Sequence, residues 1–94
     1  MVKHIVFWKL REDCDKDAAL AEMRSALEPL VGVVPGLLSA EVRRAYTGDY
    51  DAVLYSTLTD KAAAEAYQVH PAHLEAKKVV HSYAVGRAAC DYEV

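Results

Sequence analysis

Residues 67 to 73 read Tyr67-Gln68-Val69-His70-Pro71-Ala72-His73. Proline has no N–H to donate and disfavours helical geometry in the residue before it. A helix arriving at His70 must therefore stop, and a second must start at Pro71 or Ala72. A phenol and two imidazoles surround that break. Histidine titrates near pH ~6.5 and tyrosine near ~10, so the segment holds groups able to move protons at neutral pH and to polarise a carbonyl. The same residues also serve as hydrogen-bonded packing at a helix junction, and both readings stand at this point.

Upstream of the break, Asp60 offers an N-cap to an alanine-rich helix running to about Val69. Downstream, a second helix runs to about His81, and Val85 to Val94 reads as a strand. At the other end of the chain, Val2 to Leu10 is rich in branched and aromatic residues, a strand with Val2, His4, Val6, Trp8 and Leu10 on one face. From Asp15 to about Val31 the period changes. Leu20, Met23, Leu27, Leu30 and Val31 form a helical stripe, with Asp15 or Asp17 as N-cap, and Pro29 predicts a kink or an early end. Gly32 and Val34-Pro35-Gly36 stop that helix. Leu38 to Tyr46 alternates as a second strand, with Leu38, Ala40, Val42 and Tyr46 on one face. Thr47-Gly48-Asp49 supplies a turn into a third strand, Tyr50 to Leu58.

This order of strand, helix, strand, strand, helix pair, strand fits a ferredoxin-like α+β fold: a four-stranded antiparallel sheet with its helices on one face. The helices cover one face only. The other would carry Ile5, Phe7, Val53 and Tyr55, too apolar to leave in water, so a twin subunit is expected to cover it as a homodimer. At 94 residues the chain reads as one domain, 1–94, and an apolar fraction of 53% is high for so small a body, which again asks for an interface.

A net charge of −3 without a basic run argues against nucleic acid. The apolar run from Pro29 to Leu38 is broken by Gly32, Pro35 and Gly36 and falls short of the roughly 18 residues of a spanning helix, so no membrane partner is expected. Met1 to Leu10 does not read as a signal peptide, and Cys14 and Cys90 form no disulfide framework. The expected location is the cytoplasm, with both thiols free.

Val2-Lys3-His4-Ile5-Val6, Val34-Pro35-Gly36, Tyr50-Asp51, Ala66 to His73 and Asp91-Tyr92 occur together in this order and spacing. The whole chain thereby resembles the stress-responsive A/B-barrel (Dabb) family, with Tyr-x-x-His-Pro-x-His its most specific part. That resemblance implies a homodimeric α+β barrel. Many such proteins have no assigned activity. A plant branch closes poly-β-keto chains by aldol condensation without metal or cofactor, using a tyrosine and a histidine that match Tyr67 and His73 and a first-strand histidine that matches His4.

His73 is thus the candidate general base, Tyr67 a hydrogen-bond donor to a carbonyl or enolate oxygen, and His4 an orienting group. Val6, Trp8, Met23, Leu27, Leu54 and Val79 are the candidate walls of an apolar pocket for a small apolar or aromatic ligand. The chain departs from the cyclase branch at Ala52, where that branch has a polar cavity group, and at Met23 and Leu27, where it has aromatics. Two functions follow: a small-ligand-binding or unassigned homodimer, or a cofactor-free acid/base enzyme of the polyketide-cyclase kind. Asp51 and Asp91 read as turn and strand-end residues, His70 as a cap, and His81 as a solvated helix-end residue. A metal site on His70 and His73 is the weakest reading, because Pro71 spoils their register and no carboxylate or cysteine is close in sequence.

Overall fold

The computed structural model describes residues 1–94. Strand β1 is Val2–Leu10, helix α1 Lys16–Leu27, β2 Leu37–Arg44, β3 Ala52–Leu58, α2 Lys61–Val69, α3 Pro71–Tyr83 and β4 Ala84–Glu93. The strands form one antiparallel sheet in the order β2-β3-β1-β4. Val2, His4, Val6, Trp8 and Leu10 of β1 are buried on the helix side, against Leu20, Met23 and Leu27 of α1, Tyr67 of α2, and His73, Ala76 and Val80 of α3. The architecture is ferredoxin-like α+β with helices on one face.

The expected dimeric α+β barrel is corrected here: the sheet is open. β2 and β4 lie at opposite edges with β3 and β1 between them, and each has a neighbour on one side only. Closure needs strand tilt and a stagger that joins the two edges, and here no pairing joins β2 to β4 while the helix layer packs on one face of the sheet. On the face away from the helices, Phe7 is 40% and Tyr55 38% exposed, with Ile5 and Val53 partly buried beside them.

Local chemistry sets the boundaries. The Asp15 carboxylate accepts from the N–H groups of Asp17 and Ala18 and opens α1. Pro29 ends it: the chain tightens into a 3-10 turn over Glu28–Leu30 and leaves in extended geometry at Val31. Val31, expected on the buried stripe, is therefore exposed.

The predicted phase of β2 also fails at its start. Leu37 faces Leu58 while Ser39 faces Thr57, so one extra residue is accommodated in a bulge. That places Leu37 in the core and leaves Leu38 half exposed, although Ala40 and Val42 keep the expected face. Tyr46 lies beyond the end of the strand and is fully exposed. Asp51 is structural as expected. Its Oδ2 accepts the Leu10 N–H at 2.8 Å and its Oδ1 meets Lys16 Nζ at 3.3 Å. No helix is long and apolar enough to cross a membrane.

Gly36 is required twice over. Its φ of +84° suits glycine, and a Cβ there would lie 2.6 Å from the Ala63 Cβ of α2. Gly48 has φ +105° but nothing within 4 Å of such a Cβ. Gly36→Ala should cost about 2–4 kcal/mol and Gly48→Ala about 1–2, because only the first adds overpacking to backbone strain. Urea denaturation of the two variants checks the order, and equal losses would show that α2 yields freely to the added methyl.

Candidate functional site

Pro71 builds the centre of the site by what it lacks. In a continuous helix the Tyr67 carbonyl would accept from the N–H of residue 71. That group is absent, and the carbonyl is taken instead by the His70 N–H at 3.3 Å and by His73 Nδ1 at 2.9 Å. A carbonyl only accepts, so Nδ1 of His73 carries the proton and Nε2 keeps its lone pair. The bond folds the His73 ring back over Tyr67. The two stack with centroids 3.9 Å apart and planes 8° from parallel. His70 does a different job: its Nδ1 accepts the Ala72 N–H at 3.1 Å and caps α3.

His4 reaches the cluster from β1. Its ring meets Tyr67 edge to face at a centroid distance of 6.0 Å, its carbonyl accepts from Ser56 Oγ at 3.0 Å, and its Nδ1 lies 2.5 Å from Asp91 Oδ1. The carboxylate accepts, so His4 Nδ1 donates and the ring is held in one orientation. His4 is buried while the Asp91 side chain is 46% exposed.

Burial sets the proton affinities. With 0% exposure and a hydroxyl lacking any partner, Tyr67 has its pKa pushed up to about 12, because an ionised phenol there would lose its hydration. It remains a protonated donor at every physiological pH. His73 is pushed down to about 4, first by burial and further by the positive charges of Lys77, His4 and Arg87. The bond to the Tyr67 carbonyl opposes the shift. His73 is thus a neutral imidazole at pH 7.

These groups border a cavity of about 50 Å³, walled by Val6, Trp8, Leu27, Leu54 and Val80, with His4 and His73 in its lining and Gln68, Lys77, His81 and Arg87 completing it. Of the residues expected as walls, Met23 lies in the core with no exposure. Val79 lies in an outer groove with Ala21, Glu22, Ser25 and Ala26. Tyr67 sits behind the lining, stacked on His73. Residue type and local pattern single out none of Lys77, Arg87 and Gln68 and give Asp91 only a strand-end role. Lys77 carries a local signal, since it follows His73 by one helical turn. Asp91 and Arg87 needed the β1–β4 register, which sets them opposite His4 and Trp8.

A depressed histidine makes stability pH-dependent with a definite sign. Unfolded, His73 takes up a proton near pH ~6.5. Folded, it resists down to about 4. The stability it contributes is complete above pH ~6.5 and is lost as pH falls toward 4, on the order of 3 kcal/mol in all. Chemical denaturation at pH 7.5 and 4.5 should show that loss, and His73→Gln should flatten the curve in this window. An unchanged slope in the variant would place the titration elsewhere.

Comparison with known proteins fits this geometry. The Stress responsive A/B Barrel Domain family matches residues 2–94. Among curated proteins there is no match. A dimeric protein of unknown function with a ferredoxin-like fold from Bacteroides fragilis is 30% identical, covering 99% of this chain and 95% of its own, with a TM-score of 0.89. A dimeric ferredoxin-like protein of unknown function from Jannaschia is 25% identical over 99% and 98%, with a TM-score of 0.83. A hydroxynitrile lyase from Passiflora edulis shares the fold at 15% identity over 99% and 92%, with a TM-score of 0.85. With a match that spans nearly the whole chain, Tyr-x-x-His-Pro-x-His segment included, this protein belongs to the stress-responsive A/B barrel domain family.

Proposed function

We propose that this protein is a homodimer that binds a small carbonyl compound between its sheet and its helices, with the ligand oxygen directed to the Tyr67 hydroxyl. The observation that carries this reading is that hydroxyl: fully buried, un-ionised and without a partner. Burying a hydroxyl unpaired costs about 1–3 kcal/mol. A ligand acceptor removes that cost, and the stacked His73 and edge-on His4 fix the phenol that would donate to it.

Acid/base catalysis is the second reading, favoured by the Nε2 lone pair of His73. That nitrogen would take a proton from the carbon beside the carbonyl while Tyr67 donates to the enolate oxygen, and His4, oriented by Asp91, would assist. A base with a pKa of about 4 is weak for this task in the free protein, and so binding comes first. The hydroxynitrile lyase on the same fold carries no weight for this chain, because fold alone does not set activity.

The dimer is proposed through the open face of the sheet, where Phe7 and Tyr55 stand exposed. Dimeric relatives at 30% and 25% identity support it. Sedimentation velocity should give a dimer, and Phe7→Glu should give a folded monomer; a dimer unaffected by Phe7→Glu would move the interface elsewhere.

Tyr67→Phe removes the orphan oxygen and leaves the ring. It should raise stability by about 1–2 kcal/mol in urea denaturation while weakening the binding of pentane-2,4-dione, followed on the His73 imidazole by NMR, at least about tenfold. A destabilised Tyr67→Phe variant would mean that the hydroxyl is already satisfied in the free protein. No imidazole response to the dione would remove the binding proposal.

A further inference from the structure

Although the chain carries net charge −3, the cavity lining contains Lys77, Arg87 and His81 and no carboxylate. The other arginines are all engaged: Arg11 with Asp13, Arg24 with the Val42 carbonyl, Arg43 with Glu28, and Arg44 with Asp17. Arg87 has no hydrogen-bond or ion-pair partner. Lys77 reaches only a neutral acceptor, the Gln68 carbonyl, at 3.3 Å. The nearest acid along β4 is Asp91, four residues and roughly 13 Å on, and it is already engaged by His4. Two uncompensated cations thus border a cavity that is also lined by neutral His73, on which the buried Tyr67 ring stacks.

From this placement we infer that the ligand is a carbonyl compound bearing an anionic group, a keto acid in the simplest case, with its carbonyl inside the cavity and its anion on Arg87 and Lys77. This rests on the carbonyl-binding reading of the same cavity. Size supports the orientation. A cavity of about 50 Å³ admits a few heavy atoms, far less than the ~150 Å³ that accommodates a benzene ring. An adjoining groove of about 240 Å³ shares Trp8, His81 and Arg87 with it and continues over Ala84, Val85 and Gly86. The carbonyl end fits the first space, the anion sits at its Lys77 and Arg87 side, and any longer remainder continues past Arg87 into the second.

The charge also acts on the base. Lys77 and Arg87 are among the groups that hold His73 down. An anion between them cancels their field, so the imidazole gains proton affinity when the ligand is seated. A general base is most effective near the working pH, and this ligand itself moves His73 in that direction.

Acetoacetate and methyl acetoacetate share the 3-keto group and differ in charge, which makes them the probes. Each is titrated into the wild-type protein at pH 7, and the His73 imidazole is followed by NMR. Acetoacetate should bind at least about tenfold more tightly than the ester and raise the His73 titration midpoint by about 1 pH unit. Arg87→Gln and Lys77→Gln should each reduce that preference, weakening acetoacetate more than the ester. Equal binding of acid and ester, or a preference that neither substitution reduces, overturns the anion assignment and leaves the carbonyl site intact. If neither compound perturbs His73, both proposals fall.

Discussion

Much of this molecule follows from one hydrogen bond, the donation of His73 Nδ1 to the Tyr67 carbonyl. The carbonyl is vacant because residue 71 is proline, and a buried carbonyl without a donor is costly. Filling the vacancy with a side chain, beside the longer bond from the His70 amide, pins the imidazole over the phenol and fixes its tautomer. The same bend starts α3 in a direction that brings Lys77, Val80 and His81 to the cavity. Helix geometry, ring stacking and proton location are three aspects of one constraint.

The elements were legible in the sequence because their signals are local. The period of β1, the Asp15 cap, the Pro29 end of α1 and the break at Pro71 each depend on neighbours within a few residues. The bulge at Leu38 was not legible, because an extra residue in a strand shows only against its partner, and the pairing of Leu37 with Leu58 and Ser39 with Thr57 is long-range. Barrel closure failed as an expectation for a related reason: strand order and helix cover leave β2 and β4 far apart, whatever each strand's own pattern.

Within the site, His4, Tyr67 and His73 stood out by residue type and spacing, and the structure brings their rings together. The charged groups were harder to see. Arg87 and Asp91 are ordinary residues on an exposed edge strand until the β1–β4 register places them beside Trp8 and His4. Met23 and Val79 show the converse problem. Both lie on plausible helical stripes, yet one is sealed in the core and the other faces an outer groove, a difference of helix rotation that spacing alone does not resolve.

The pairing of His4 with Asp91 spans a boundary. The imidazole lines the inner cavity, and the carboxylate lies half in water along a separate groove formed with Lys61, Ala64, Glu65 and Gln68. The pair therefore ties the two spaces together through the wall: whatever draws the Asp91 carboxylate away in the outer groove releases the His4 ring on the inside.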